Sequence, residues 1–199
     1  MPIPTIYYIH HGETAWNAAG RFQGSQDIPL NDLGRTQARH AGDILADLLA
    51  RDGAAAPQMP FVSSPLGRAR ATMELVRTAL ALPTDGYAVD ERLREIGYGL
   101  WEGSTLAQME ASHPDVFASR QLDKWGVPPP SGESYAAVTQ RMRDWAQSLS
   151  AATVAVSHGG TARALMVALG IADPAEVWDL PIGQGVVYVF SDGAVAKYG

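Results

Sequence analysis

The chain has 199 residues, of which 46% are hydrophobic and 18% charged, a composition typical of one soluble globular domain rather than of a disordered or fibrous protein. Fifteen basic and 21 acidic residues give a formal net charge of −6, which argues against a nucleic-acid-binding protein with a broad basic surface. The absence of cysteine excludes disulfides, thiolate metal sites and any enzyme that attacks through a cysteine thiolate.

Hydrophobic periodicity predicts that strands alternate with helices over most of the chain. In the first half it predicts, in order, a strand over residues 3–9, a helix from the N-cap Asn31 to Gly53, a strand over 61–63 and a helix over 65–82. In the second half it predicts a helix over 134–149, a strand over 152–156, a helix over 161–169 and a hairpin of strands 186–190 and 195–198 around Asp192-Gly193. Residues 97–130 are punctuated by glycine and proline, and we expect a small cap there, with short helices near 104–111 and 114–122.

This alternation predicts a single domain over residues 1–199 with an α/β fold. We expect a three-layer sandwich, in which helices cover both faces of a mostly parallel sheet with an antiparallel edge. Ligands of such sheets bind beyond the carboxyl ends of the strands. His11 and His158 each follow the end of a predicted strand, so the topology alone places two imidazoles in one crevice.

The segment His10-His11-Gly12 leads from the first strand into this crevice. Adjacent histidines on an extended chain point apart, and no further ligand lies nearby at metal-binding spacing, so we expect no metal site. A histidine at a strand end followed by glycine suits an exposed nucleophile beside backbone N–H groups. Taken alone, the pair is about equally compatible with a structural role.

Two charged residues and a second histidine are further candidates. Arg68 falls in the first turn of the helix after Ser63, where a guanidinium and helix-end N–H groups both favour phosphate. Glu95 has apolar and glycine neighbours that could desolvate its carboxyl group for acid/base work, but Glu102 competes for that role and sequence order does not separate them. His158 precedes a helix N-terminus, the end that favours anions.

Together these segments resemble the histidine phosphatase superfamily, also called phosphoglycerate-mutase-like, over residues 8–160. The resemblance implies a three-layer α/β fold and phosphoryl transfer through a phosphohistidine, with no metal and no other cofactor. Residue by residue, it implies His11 as the nucleophile, Arg68 as a phosphate-binding arginine, Glu95 as the acid/base and His158 as the second histidine. Asn17, Gln23 and the backbone at Gly159 match the lining of the phosphate pocket, and a protonated His158 would add positive charge.

His10 departs from the superfamily pattern, which typically has Arg-His-Gly where this chain has His-His-Gly. Arginine offers a permanent charge and a bidentate fork, whereas a histidine with a pKa of about 6.5 is mostly neutral at pH 7. We therefore place His10 among the phosphate-binding residues, with charge only when it is protonated. The expected consequence is a weakened enzyme, by roughly 10- to 150-fold if the lost charge-assisted hydrogen bond acts mainly on the transition state.

The sequence thus predicts a metal-independent histidine acid-type phosphatase that hydrolyses small organic phosphomonoesters. A phosphoglycerate mutase is one alternative, but Arg120 and Lys124 are the only cationic residues between positions 104 and 130, few for holding a phosphorylated carboxylate. A degenerate domain that binds phosphate without turnover is the other alternative, which His10 favours and the four retained catalytic candidates disfavour.

The expected partner is a small phosphorylated molecule rather than nucleic acid or a membrane. No run approaches the ~18 continuous apolar residues of a spanning helix. Residues 1–5 lack the basic region and apolar run of a signal peptide, so we expect a cytoplasmic protein. The sequence leaves open both the identity of the substrate and the formation of a homodimer.

Overall fold

The computed structural model describes residues 3–199, apart from the side chain of Asp179, and its central feature is a six-stranded sheet. Met1 and Pro2, which begin the segment inspected for a signal peptide, lie outside the described residues. The strands are β1 Ile6–His10, β2 Phe61–Ser63, β3 Ala88–Val89, β4 Thr153–Ser157, β5 Val187–Ser191 and β6 Ala194–Tyr198. Their order is β3-β2-β4-β1-β5-β6, in which the first four are parallel and β5 and β6 form an antiparallel edge.

Seven α-helices connect or flank these strands within residues 3–199. They are α1 Ala15–Ala18, α2 Asp32–Arg51, α3 Gly67–Ala79, α4 Leu106–Ser112, α5 Pro114–Leu122, α6 Tyr135–Gln147 and α7 Gly159–Ala168. Single turns of 3-10 helix lie at Ala56–Gln58, Glu91–Leu93, Gly99–Trp101 and Val177–Asp179. Asn31 caps α2 as predicted, because its side chain accepts a hydrogen bond from the Gly34 N–H.

Each face of the sheet packs against its own pair of helices. Successive side chains of a strand point to opposite faces, so Ile6 and Tyr8 pack with α6 and α7, while Tyr7 and Ile9 pack with α2 and α3. The continuous apolar run of β1 therefore reflects burial on both sides. The three-layer α/β fold expected from the sequence is confirmed.

Two helices begin at positions other than those predicted, and both differences affect the carboxyl edge of the sheet. Helix α7 begins at Gly159, two residues earlier than expected, so its first turn contains Gly160. A Cβ on Gly160 would lie 2.5 Å from Glu95 Oε1, which explains why this turn requires glycine. Helix α3 begins at Gly67 rather than at residue 65, because the Leu66 backbone is extended.

The other differences concern short elements. Strand β3 and helix α1 have two and four residues, too few for a periodic signal, and neither was predicted. The predicted hairpin is confirmed, since Asp192 and Gly193 both have positive φ, at 51° and 73°, as a two-residue hairpin turn requires.

Within residues 3–199, no helix has both the length and the apolar character needed to cross a bilayer.

Residues 97–130 contain α4 and α5 close to the carboxyl edge of the sheet. Two backbone hydrogen bonds join this segment to the loop after β1, from the Gly103 N–H to the Phe22 carbonyl at 2.7 Å and from the Phe22 N–H to the Ser104 carbonyl at 3.0 Å. The two short helices predicted in this segment are present as α4 and α5. That this segment acts as a cap on a single domain stays a prediction.

Candidate active site

Three side chains follow the carboxyl ends of neighbouring parallel strands, namely His11 after β1, Ser64 after β2 and His158 after β4. The His11 N–H donates to the Ser157 carbonyl at 3.0 Å, and the Ser64 N–H to the Val156 carbonyl at 2.9 Å. The backbone ladder thus holds the residues that follow each strand in fixed register. The centroids of the His11 and His158 rings lie 5.1 Å apart, so the predicted crevice brings both imidazoles together.

The His11 imidazole is buried, with 2% exposure, and its two nitrogens have different partners. Nδ1 lies 2.7 Å from the Gly12 carbonyl oxygen, which can only accept, so Nδ1 carries the proton. Nε2 accepts a hydrogen bond from Arg68 Nε at 3.2 Å and therefore holds a lone pair. Burial, aided by His10 and Arg68, lowers the pKa of His11 well below 6.5, so the ring is neutral at pH 7.

The Arg68 guanidinium lies beside His11 although the residue is only 1% exposed. The first turn of α3 places it there, and two carbonyl oxygens orient it: Nη1 donates to Gln26 at 2.7 Å and Nη2 donates to Gly24 at 2.9 Å. Together with the bond to His11, these contacts use three of the five N–H donors of a guanidinium. Two donors remain for a bound anion.

Glu102 supports the loop that orients Arg68. Its carboxylate accepts hydrogen bonds from the Ser25 N–H at 2.9 Å, from Ser25 Oγ at 2.8 Å and from Gln26 Nε2 at 3.0 Å. Burial alone would raise the pKa of Glu102, but the hydrogen bonds from Ser25 and Gln26 hold it below its ordinary value. Glu102 is thus engaged by the loop and does not line the cavity at the strand ends, whereas Glu95 does.

The Glu95 carboxylate lies at the N-terminus of α7. Oε1 accepts from the Ile96 N–H at 2.9 Å and from the Thr161 N–H at 3.2 Å, and Oε2 accepts from the Gly160 N–H at 3.2 Å. These three donors fix the orientation of the carboxylate at the cavity wall. The sequence predicted apolar neighbours for Glu95; the structure instead places its carboxylate in a hydrogen-bonded site.

His158 lies behind His11 and is fully buried. Its Nε2 is hydrogen-bonded to Ser64 Oγ at 2.7 Å, and that oxygen also accepts from the Leu66 N–H. The Nδ1 atom of the ring has no hydrogen-bond partner among the described residues. Burial, together with Arg68, lowers the pKa of His158 well below 6.5. The structure therefore holds a neutral His158, not the protonated form that the resemblance implied.

These groups surround one open cavity of about 260 Å³ at the carboxyl edge of the sheet. The predicted residues on its wall are His10, His11, Asn17, Gln23, Arg68, Glu95 and Gly159. Within residues 3–199, no three His, Cys, Asp or Glu side chains converge in a way that could hold a metal ion.

Comparison with known proteins gives the family of this site. A sequence profile of the histidine phosphatase superfamily (branch 1) matches residues 6–193. The chain belongs to the histidine phosphatase superfamily. The resemblance seen in four short motifs is thereby confirmed over nearly the whole chain.

Several similar histidine phosphatases have been named or solved. The glucosyl-3-phosphoglycerate phosphatase of Mycobacterium tuberculosis is 35% identical over 196 residues, which cover 90% of this chain and 81% of the relative. The acid phosphatase of the same organism is 31% identical over 201 residues, which cover 98% of this chain and 85% of the relative. A structure of mycobacterial glucosyl-3-phosphoglycerate phosphatase with VO3 superposes with a TM-score of 0.75 at 30% identity, covering 96% of this chain and 93% of that one. These similarities confirm the expectation of a phosphatase.

Asn17 and Gln23 lie on the wall of the histidine phosphatase site as the motif predicts, and their oxygens bind within that wall. Asn17 Oδ1 accepts from the Thr14 N–H at 3.1 Å and from Gln184 Nε2 at 3.3 Å. Gln23 Oε1 accepts from Thr14 Oγ1 at 3.0 Å. Because their oxygens are occupied, the two side-chain NH2 groups remain as donors for a ligand.

His10, where the superfamily pattern cited above has arginine, carries no charge at neutral pH. Its Nδ1 lies 3.2 Å from the Ile182 carbonyl, and the ring lies against His11 with centroids 4.6 Å apart. Burial lowers the pKa of His10 to about 4, and the nearby charges of Arg163 and Arg68 contribute to the lowering. His10 therefore cannot supply the positive charge considered for it in the sequence, except in strong acid.

Sequence reasoning missed two arginines on the cavity wall, Arg21 and Arg163. Arg21 Nη1 donates to the Gly103 carbonyl and to Gln108 Oε1, at 2.6 and 3.1 Å, and so ties the segment before α4 to the site. Arg163 lies on α7, whose first turn faces the cavity. Its position carried a usable signal, because helical side chains lean toward the N-terminus and a long one covers the preceding turn.

Proposed function

We propose that this enzyme hydrolyses small organic phosphomonoesters in two steps, through a phosphohistidine at His11. The observation that carries the proposal is a neutral imidazole whose Nε2 lone pair faces a buried guanidinium. A nitrogen nucleophile must be deprotonated to attack, and the phosphoryl group must be held by fixed positive charge as it transfers. His11 and Arg68 supply these two requirements within one hydrogen bond of each other.

In the first step, the Arg68 Nε–H exchanges its bond to His11 Nε2 for one to a phosphoryl oxygen. The freed Nε2 lone pair then forms a bond to phosphorus while the bond from phosphorus to the ester oxygen breaks. Glu95 gives a proton to the leaving oxygen, which departs as an alcohol. The substrate brings this proton as the monoanion of the phosphate ester, and Glu95, held by three backbone N–H groups, is positioned to pass it on. Arg68, which lines the cavity, donates to the non-bridging oxygens.

In the second step, a water oxygen forms a bond to phosphorus while the bond to His11 Nε2 breaks. Glu95 now accepts a proton from the attacking water, so the same carboxylate is acid in one step and base in the other. Inorganic phosphate leaves, and His11 returns to its neutral state with the proton on Nδ1. The Gly12 carbonyl keeps that proton in place throughout.

Turnover of p-nitrophenyl phosphate, with release of inorganic phosphate in the presence of EDTA, tests this function. We expect sustained hydrolysis of this ester and of some members of a panel of phosphorylated metabolites. Binding of inorganic phosphate without any turnover would contradict the proposal and favour a degenerate domain. Transfer of the phosphoryl group between bisphosphoglycerate and monophosphoglycerate, faster than hydrolysis, would favour a mutase.

The pH dependence of this turnover follows from the states of His11 and the substrate. His11 stays neutral below pH 6.5 because burial lowers its pKa, so acid does not inactivate the nucleophile. The ester monoanion that carries the proton is lost above a second pKa of about 6. We expect kcat/KM to be higher at pH 5 than at pH 8, measured with a non-aromatic ester whose leaving oxygen requires a proton. A decline from pH 7 to pH 5 would contradict a neutral His11.

Replacing His10 with arginine is expected to accelerate the enzyme. The variant adds a permanent charge beside His11, where the present residue is neutral. We expect kcat/KM for p-nitrophenyl phosphate to rise by roughly 10- to 150-fold, from one additional charge-assisted hydrogen bond in the transition state. A His10→Gln variant, which adds no charge, is the matched control and should show no comparable gain. An unchanged rate for His10→Arg would refute this reading of position 10.

The proposal includes the finer expectations from the sequence. The substrate is a small organic phosphate, of the kind that the names of the similar phosphatases indicate. The segment 97–130 covers the site as a cap on a single domain, and the protein is cytoplasmic. A homodimer stays open.

A further inference from the structure

The phosphate site has few positive charges for a reaction on a negatively charged substrate. A phosphomonoester brings negative charge, and the transition state spreads it over three non-bridging oxygens. Both histidines nearest to His11 are neutral at pH 7. Among the described residues, the permanent cations on the cavity wall are Arg21, Arg68 and Arg163.

Of these three arginines, Arg163 has the terminal nitrogens that are least engaged. Arg21 Nη1 is held by the Gly103 carbonyl and by Gln108 Oε1, away from the strand ends. Arg163 Nε donates to the Leu180 carbonyl at 3.0 Å, and this contact fixes the side chain. Its Nη1 and Nη2 have no partner among residues 3–199.

The position of Arg163 on α7 directs its guanidinium to the place where His10 meets the helix. Arg163 lies four residues after Gly159, and helical side chains lean toward the N-terminus, so it covers the first turn of α7. A Cβ on Gly159 would lie 3.8 Å from Arg163 Nη1 and 3.4 Å from His10 Cε1. The guanidinium and the His10 ring therefore lie against the same glycine.

We propose that Arg163 binds the phosphoryl group and supplies part of the positive charge that position 10 lacks in this chain. The proposal rests on the proposed function, because it assigns a role in the same site. Arg68 holds the phosphoryl group from the α3 side of the site, and Arg163 donates through Nη1 or Nη2 from the α7 side.

The test compares Arg163→Met and Arg163→Lys with the parent and with Arg39→Met, an exposed arginine on α2 that serves as the matched control. We expect Arg163→Met to lower kcat/KM for p-nitrophenyl phosphate by about 10- to 150-fold, the effect of one charge-assisted hydrogen bond. The Kd for inorganic phosphate should rise in parallel. Arg163→Lys should retain much of the parent kcat/KM and much of its affinity for inorganic phosphate. It keeps the positive charge, although it loses the hydrogen bond from Nε to the Leu180 carbonyl.

Two outcomes would overturn the proposal. One is an Arg163→Met variant that stays within about twofold of the parent in kcat/KM and in the Kd for phosphate. The other is a lysine variant as impaired as the methionine variant, since anchoring of Leu180 rather than charge would then explain the loss.

A double variant tests directly whether an arginine at position 10 can substitute for Arg163. If Arg163 supplies what position 10 lacks, adding His10→Arg should increase activity by a larger factor in Arg163→Met than in the parent. Equal factors in the two backgrounds would contradict the proposal. If the parent shows no turnover that depends on His11, the proposed function fails, while the phosphate Kd values still decide the role of Arg163.

Discussion

Replacing His11 with alanine is expected to lower kcat/KM for p-nitrophenyl phosphate by about 10⁴-fold or more, because it removes the only route to a covalent intermediate. Among the described residues neither neighbouring histidine is placed to take over, since His158 is fully buried and does not reach the cavity wall, and the His10 ring is held through Nδ1 by the Ile182 carbonyl and lies against Gly159. The measurement is steady-state turnover together with the Kd for inorganic phosphate. That Kd should change little, because Arg68 remains.

His40 provides the matched control for this variant, because it is an exposed histidine on α2. A His40→Ala variant should keep the parent rate. Residual activity of His11→Ala above about one-hundredth of the parent rate would contradict the covalent route, since water attack assisted by the rest of the site would then be nearly as effective.

Replacing Glu95 with glutamine is expected to have an effect that depends on the leaving group. The variant keeps an oxygen that can accept from the N–H groups at the start of α7, but it can neither give nor take a proton. With an alkyl phosphate, we expect kcat to fall by about 10²- to 10⁴-fold, the usual range for general acid/base catalysis. With p-nitrophenyl phosphate, the rate of the first step should fall far less, because nitrophenolate leaves without a proton.

The exposed carboxylate of Glu110 on α4 offers the control for this substitution. A Glu110→Gln variant should behave like the parent with both substrates. If Glu95→Gln lost the same factor in kcat/KM, which reports the first step, with alkyl and nitrophenyl esters, Glu95 would have to act by position or charge rather than by transferring a proton to the leaving oxygen.

The part of the site that follows from topology could be predicted from the sequence. His11 and His158 each end an apolar run that is buried on both faces, and the parallel order of β1 and β4 makes them neighbours. Arg68 could be placed because the strand before it and the helix after it were both clear. In each case a local pattern determined the position of the side chain.

The choice between Glu95 and Glu102 could not be made from the sequence, because both lie in an irregular segment and carry the same group. It depends on long-range contacts, with the backbone of α7 for Glu95 and with Ser25 in the loop after β1 for Glu102. The neutral state of His158 was missed for a similar reason. Complete burial decides it, and no local pattern reports how much of a ring is covered.

The importance of Arg163 also escaped the sequence, for a different physical reason. An arginine inside a helix normally extends into solvent, and only the folded chain shows that this guanidinium lies beside Gly159 and His10. Strand β3 was missed because two residues carry no periodicity. Sequence patterns thus predicted the scaffold and the positions of His11, Arg68 and His158, whereas the charges around His11 required the three-dimensional contacts.

The most direct test of the covalent account is rapid-quench analysis of Glu95→Gln with p-nitrophenyl phosphate. In this variant the first step proceeds but the second lacks its base, so the phosphorylated enzyme should accumulate. We predict a burst of one nitrophenolate per chain and a phosphate on His11 Nε2, stable in base and labile in acid, located by mass spectrometry of the peptide. Release of nitrophenolate without a burst and without phosphate on His11 would contradict the account.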